Sequence, residues 1–358
     1  MKYVIDKSKG KAYLQLYEQL KSDIVSGVFA FNSKLPSKRI LSEETGVSVI
    51  AVEHAYFLLC EEGYIDSRER SGYFVCYNPD STFDSAIVSV TTEKQFHPIV
   101  HNADFPFSTY AKTVRKVLSQ YGEYIFSPSN GSGCDELKGA ICNYLKRSRG
   151  IVVEPKQIVI GAGSEYLYGL IVQMLGKNRI YALESPSYPK ISKVYRANGV
   201  KTLFLPLVKN GISSEHLQKT PATVLHITPY RSYPSRISAT ASKKREYVDW
   251  AKDTNKIIVE DDYESEFTLL KKAEETVFSL SNGNNVIYVN TFSKTVSPAV
   301  RIAYMIIPKN MIPVYEENVG FYNCSVPLFN QLILAEFIES GNFERHINRV
   351  RRKARRNQ

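Results

Sequence analysis

From residue 157 onward the chain repeats one pattern, a short apolar run followed by a stretch with helical spacing. The runs are QIVIG (157–161), RIYALE (179–184), TLFLP (202–206), TVLHI (223–227), KIIVE (256–260), VIYVN (286–290) and IAYMII (302–307). They are rich in β-branched and aromatic residues, and segments such as SEYLYGLIVQML and SKKREYVDWAKD lie between them. A strand buried on both faces reads as a continuous apolar run, and strands alternating with helices build a largely parallel sheet. The pattern therefore predicts an α/β domain from about residue 105 to residue 358.

The last two runs enclose a short polar turn in VIYVNTFSKTVSPAVRIAYMIIP (286–308), which holds Lys294. A lysine between two buried strands is a candidate Schiff-base amine. It also fits an ordinary solvated loop lysine, as most lysines are. Upstream, KIIVEDDYESEF (256–267) runs from a strand straight into a carboxylate cluster and Tyr263. The C-terminal edge of a strand is where open α/β sheets present chemistry. A carboxylate that faces a pyridinium nitrogen there keeps the ring protonated and able to accept electrons. Two further spots follow strands. GAGSEYL (161–167) opens a helix with Gly163 and Ser164, whose N–H and hydroxyl groups suit a phosphate, although such turns are common. ESPSYP (184–189) carries Tyr188, which reads equally as a core or surface tyrosine.

TFSK followed by Arg301, and preceded by EDDYESEF, resembles the pyridoxal phosphate site of fold-type-I aminotransferases, in the version carried by MocR/GabR-type regulators. The resemblance implies that Lys294 forms the Schiff base with pyridoxal 5'-phosphate. It implies that Asp261 pairs with the pyridine nitrogen, Tyr263 with the 3-oxygen of the ring, and that Tyr188 stacks on the ring. Gly163, Ser164, Ser293 and Arg301 would form the phosphate cradle. The sequence departs from that family in two places. Where members carry HQxPxG, this chain reads RSYPSR (231–236). Aminotransferase-fold chains also continue well past the position matching Gln358. The domain is therefore expected to be C-terminally incomplete, with no counterpart of the C-terminal arginine that holds a substrate carboxylate.

The first 76 residues have a different pattern. In AYLQLYEQLKSDIVS (12–26), Tyr13, Leu16, Tyr17, Leu20 and Ile24 share one helical face. Pro36 and Ser37 open a second helix that Gly46 ends, and VSVIAVEHAYFLLCEEG gives a third. YIDSRERSGYFVCY alternates around an expected Ser71-Gly72 turn and predicts a hairpin. Three helices and a hairpin describe a winged helix-turn-helix, an α+β DNA-binding domain over residues 1–76. LPSKRILSEETGVS and EEGYIDSRERSGYFV resemble the GntR family. That resemblance implies DNA contacts from Ser37, Lys38, Arg39 and Ser48, and from Arg68 and Arg70 on the wing. Val49 and Ile50 stand where many members place arginine and threonine, so direct readout there is either apolar, towards a thymine methyl, or weak. Residues 77–104 show no sustained period and are expected to be a linker partly docked on the following domain.

Composition narrows the function classes. The chain has 358 residues, 43% hydrophobic and 23% charged, values ordinary for a globular protein. No apolar run approaches the roughly 20 residues that span a bilayer, and MKYVIDKSKGKAY lacks a hydrophobic signal core. Five cysteines without CxxC spacing argue against a disulfide framework or a zinc site, and a cytoplasmic, reduced setting is expected. The net charge of +10 is concentrated in ERHINRVRRKARRNQ near residue 358, whereas the first 76 residues are nearly balanced. Net charge alone therefore does not establish nucleic-acid binding. The basic segment reads as a solvated helix face or part of a longer helix.

These readings converge on a transcription regulator. Its partners are expected to be double-stranded operator DNA and an amine or amino-acid effector, or pyridoxal phosphate itself. A homodimer is expected from the fold-type-I resemblance, with no membrane partner. Two alternatives are open: an aminotransferase with an appended DNA-binding domain, and a GntR-type regulator whose large domain no longer holds cofactor.

Overall fold

A computed structural model of the chain describes residues 3–6, 10–78, 105–253, 255–268 and 274–356. The expected linker lies largely outside the described residues. The chain divides into two compact units, Met1–Pro98 and Ile99–Gln358.

In the first unit, helices Ala12–Val25, Lys38–Thr45 and Val49–Glu61 precede a hairpin of strands β1 (Ile65–Arg68) and β2 (Gly72–Val75). Local chemistry sets the helix ends. Ser37 and Ser48 cap the second and third helices, their hydroxyls accepting from the N–H groups of Ile40 and Ala51. Gly46 closes the second helix in the left-handed conformation, at φ 67°. The expected turn at Ser71-Gly72 lies slightly earlier. Gly72 already pairs with Arg68 in the hairpin register, and Arg70, at φ 58°, occupies the tip. Leu16, Leu20, Leu41, Val52, Tyr56 and Leu59 form the fully buried centre of this unit.

The second unit is built on an eight-stranded sheet. Its strands are β3 (Ile158–Gly161), β4 (Ile180–Ser185), β5 (Lys201–Val208), β6 (Gly211–Ile212), β7 (Val224–Ile227), β8 (Ile257–Asp261), β9 (Val286–Thr291) and β10 (Ala303–Ile306). They lie in the order β3-β10-β9-β8-β7-β4-β5-β6. The central pairs β4–β5, β4–β7, β7–β8 and β8–β9 are parallel. β10 runs antiparallel to both β3 and β9, so β3 points the same way as the parallel set. Successive residues serve opposite faces: Val286 and Tyr288 join one core cluster, Ile287 and Val289 the other. With both faces covered, the central strands read as unbroken apolar runs, whereas β5, near the sheet edge, is mostly part-exposed or exposed.

The basic segment forms the helix Asn342–Arg356, which buries Phe343, His346 and Ile347. The buried helix Leu328–Glu339 precedes it. Among the described residues no helix is long and apolar enough to cross a membrane.

Candidate functional site

The parallel strands end on one edge of the sheet, and the loops leaving them enclose a cleft of about 320 Å³. Ser164, Tyr188, Asp261, Tyr263 and Lys294 line it, together with Tyr168, Thr228, Tyr233, Arg236, Glu264 and Thr291. Several arrive from strand ends: Tyr188 follows β4, Thr228 follows β7, Asp261 ends β8, and Lys294 follows β9. Of the residues expected in the site, Gly163, Ser293 and Arg301 are not in the lining. They adjoin it through their chain neighbours or through each other.

Asp261 is buried at the end of β8. Its Oδ2 accepts from the Tyr168 hydroxyl at 2.5 Å, and His226 Nε2 lies 3.8 Å from the same oxygen. The other oxygen, Oδ1, is buried with no hydrogen-bond partner among the described residues. An unsatisfied buried acceptor is costly, typically about 1–3 kcal/mol, so one that persists calls for a partner. Burial, reinforced by the adjacent Asp261 carboxylate, holds the Tyr168 phenol well above its ordinary pKa and therefore protonated as a donor. His226 is itself oriented by Tyr195, whose hydroxyl lies 2.8 Å from Nδ1.

Lys294 sits in the short helix Phe292–Thr295 immediately after β9. Its side chain is exposed at the cleft rather than enclosed between the strands, and no hydrogen bond or ion pair holds its amine among the described residues. Thr291 caps this turn, its Oγ1 accepting from the Ser293 N–H at 3.1 Å. The Ser293 hydroxyl is buried without a partner among the described residues. From the C-terminal helix, His346 Nε2 reaches the Thr295 carbonyl at 2.8 Å and braces the turn from behind.

Gly163 and Arg301 form the third part. Gly163 is the N-cap of the helix Ser164–Leu175, with φ 99° and ψ 163°. No side chain caps that end, so its first N–H groups remain available to an anion. A Cβ on Gly163 would lie 3.0 Å from an Arg301 guanidinium nitrogen. Arg301 is 56% exposed, with Glu165 at 3.8 Å and the Ala162 carbonyl at 3.4 Å. A guanidinium beside an uncapped helix N-terminus is a cradle for an anionic group.

Tyr263 donates to the Arg231 carbonyl at 3.1 Å, and burial pushes its phenol up to about 12. The RSYPSR segment, where the family resemblance fails, is held by a carboxylate missed in the sequence. Glu184 at the end of β4 accepts from the Ser232 hydroxyl at 2.5 Å and from the Thr228 N–H at 3.1 Å. Burial raises Glu184 to about 8. The segment sets Tyr233 edge-on to Tyr188, ring centroids 5.9 Å apart, and brings Arg236 to 3.3 Å from Glu264. The carboxylates of EDDYESEF thus diverge. Glu260 accepts from the N–H groups of Val277 and Phe278, Asp262 from Tyr288, and Glu266 from Asn290. Asp261 and Glu264 face the cleft.

The first unit carries the second candidate surface. Arg39, Ser48, Arg68 and Arg70 are exposed. Arg68 lies over the Phe74 ring at 4.4 Å, and Arg70 stands at the wing tip. Ser37 and Ser48 use their hydroxyls as helix caps. Lys38 is paired with Glu53 on the third helix at 2.5 Å, so in this structure its amine is engaged within the protein.

Comparison with known proteins identifies both units. Residues 12–75 match the bacterial regulatory proteins of the gntR family, and residues 112–358 match aminotransferase class I and II. The uncharacterized HTH-type transcriptional regulator YdeL of Bacillus subtilis (strain 168) is 34% identical, over 96% of this chain and 77% of its own length. The probable rhizopine catabolism regulatory protein MocR of Rhizobium meliloti is 28% identical, over 94% of this chain and 74% of its own. Among solved structures, the kynurenine aminotransferase of Pyrococcus horikoshii superposes with a TM-score of 0.64 at 22% identity. That match covers 71% of this chain and 66% of the aminotransferase, and speaks to the fold alone.

Proposed function

We propose that this chain, which belongs to the GntR family of regulators and among them to those carrying an aminotransferase class I and II domain, senses an amine through a pyridoxal phosphate held in the Lys294 cleft. It is a DNA-binding transcription regulator by family, and the aminotransferase-type fold is typically one that works with pyridoxal phosphate. The observation that carries the cofactor reading is the buried Asp261 Oδ1, without a partner among the described residues, in the same cleft as the Lys294 amine, which none of those residues engages. A protonated ring nitrogen is the donor that oxygen lacks.

The remaining residues fit the rest of the group. Gly163, Ser164, Ser293 and Arg301 would hold the phosphate, Tyr188 would cover the ring and Tyr263 would meet its 3-oxygen. Lys294 would hold the aldehyde carbon covalently. Bound there, pyridoxal phosphate supplies an electrophilic carbon that exchanges one primary amine for another. The chain's own part is to orient that exchange: Tyr168 and His226 fix Asp261, and Thr291 and His346 fix the Lys294 turn. An effector amine that displaced the Lys294 amine would release this braced turn, and the resulting bias between two arrangements of the protein would be read at the operator. The regulator acts as a homodimer that presents two helix-turn-helix units to two half-sites.

The test is operator binding by fluorescence anisotropy with pyridoxal phosphate and a panel of primary amines, on the wild type and Lys294→Ala. The reading expects an amine-dependent change in the wild type that Lys294→Ala abolishes while basal DNA affinity is kept. An unchanged response in Lys294→Ala sinks it.

A further inference from the structure

The recognition helix Val49–Glu61 reads VIAVEHAYFLLCE and contains no Arg, Lys, Asn or Gln. Those are the side chains that read guanine and adenine through paired hydrogen bonds in the major groove. The polar residues near its N-terminus are otherwise engaged. Glu53 holds Lys38, His54 packs edge-on against Tyr13 at 5.5 Å, and the preceding Ser48 caps the helix. Val52, Ala55, Tyr56 and Leu59 are buried in the unit's core. At the helix N-terminus, the end that docks towards base edges in a helix-turn-helix, Val49 is 41% exposed and Ile50 66% exposed.

Two exposed aliphatic side chains at that position need an apolar partner, and the major groove offers one: the 5-methyl group of thymine. Exposed apolar patches also mark protein interfaces. Here the match of residues 12–75 to the gntR regulatory proteins selects DNA, and Arg39, Arg68 and Arg70 are exposed and suited to phosphates. The Glu53–Lys38 pair neutralises the acidic side chain nearest Val49 and Ile50 on this helix, which would otherwise repel the duplex. We infer that Val49 and Ile50 read thymine methyl groups, so that the operator half-sites of this regulator carry thymine where the recognition helix enters the groove. Sequence selection at those steps comes from methyl contact, while the arginines set position and affinity.

Thymine and uracil differ only by that methyl, which makes the test specific to one group. The full chain selects duplexes from a random pool, and the winning sequence is resynthesised with dU replacing dT one position at a time. Binding is measured for the wild type, Ile50→Ala and Val49→Ala. At one or two thymines per half-site the swap is expected to weaken wild-type binding about fourfold, the loss for one buried methyl. Ile50→Ala or Val49→Ala should bind dT and dU duplexes equally at those positions. The dependence on salt should stay that of the wild type, since phosphate contacts are untouched. The inference is overturned if no single swap changes affinity more than about twofold, or if both variants keep the full dU penalty. Selection that yields no preferred sequence, or G·C pairs throughout the contacted steps, overturns it equally.

Discussion

Gly163→Ala tests the geometry of the cradle on two separate scales. At φ 99° and ψ 163° the residue occupies backbone space that is essentially reserved for glycine. Placing alanine there costs about 1–3 kcal/mol in the folded state. For a unit of this size that lowers Tm by roughly 2–10 °C. The new Cβ would also lie 3.0, 3.2 and 3.6 Å from three guanidinium atoms of Arg301. That side chain is 56% exposed and can swing away, so the contact is relieved at the expense of the anion cradle. Losing one charge-assisted contact to a phosphate weakens cofactor binding by about 10- to 100-fold. Thermal melting without cofactor reads the first effect, and fluorescence titration with pyridoxal phosphate the second. If the second effect runs through Arg301, then Gly163→Ala costs little further affinity in an Arg301→Gln background. A variant that melts within about 1 °C of wild type and binds cofactor within about twofold would refute both the strain and the cradle.

Three further outcomes follow from named contacts. Burial raises Glu184 from the ordinary 4.5 to about 8, so its contribution to stability is full below the lower value and is lost as pH rises through the higher. Urea denaturation across that window should show the decline, and Glu184→Gln should flatten it; an unchanged slope contradicts the buried carboxylate. Arg70→Ala removes an exposed wing charge and should weaken DNA binding uniformly across sequences, reducing the salt slope by about 1; a sequence-dependent loss would make Arg70 a base reader instead. Ser37→Ala deletes the cap of the second helix and should cost the first unit about 1 kcal/mol in chemical denaturation, a result that an unaltered midpoint would contradict.

The sheet was legible because burial on both faces writes its central strands as apolar runs. Only β6 (Gly211–Ile212) escaped, being too short to show a period. Serine caps and a left-handed glycine made the helix-turn-helix equally readable, since these are local rules. The wing turn was placed late because a left-handed Arg70, rather than a glycine, takes the tip. In the site, Asp261 and Lys294 were visible as a carboxylate and an amine at strand ends. Their supporting partners were not. Tyr168 reaches Asp261 across 93 positions of sequence, Ser232 reaches Glu184 across 48, and His346 reaches Thr295 across 51. No local period encodes such contacts; the folded sheet edge creates them. Lys294 itself looked like a residue between buried strands, yet the helical turn after β9 lifts it out to the cleft.

The central claim is that this cleft holds pyridoxal phosphate on Lys294. The most direct measurement is borohydride reduction of the full chain after incubation with pyridoxal phosphate, followed by peptide mass mapping of wild type and Asp261→Asn. The account predicts one fixed adduct, on Lys294, formed with lower apparent affinity in Asp261→Asn because the ring nitrogen loses its charged partner. No adduct, or adducts scattered over surface lysines in both proteins, would contradict it.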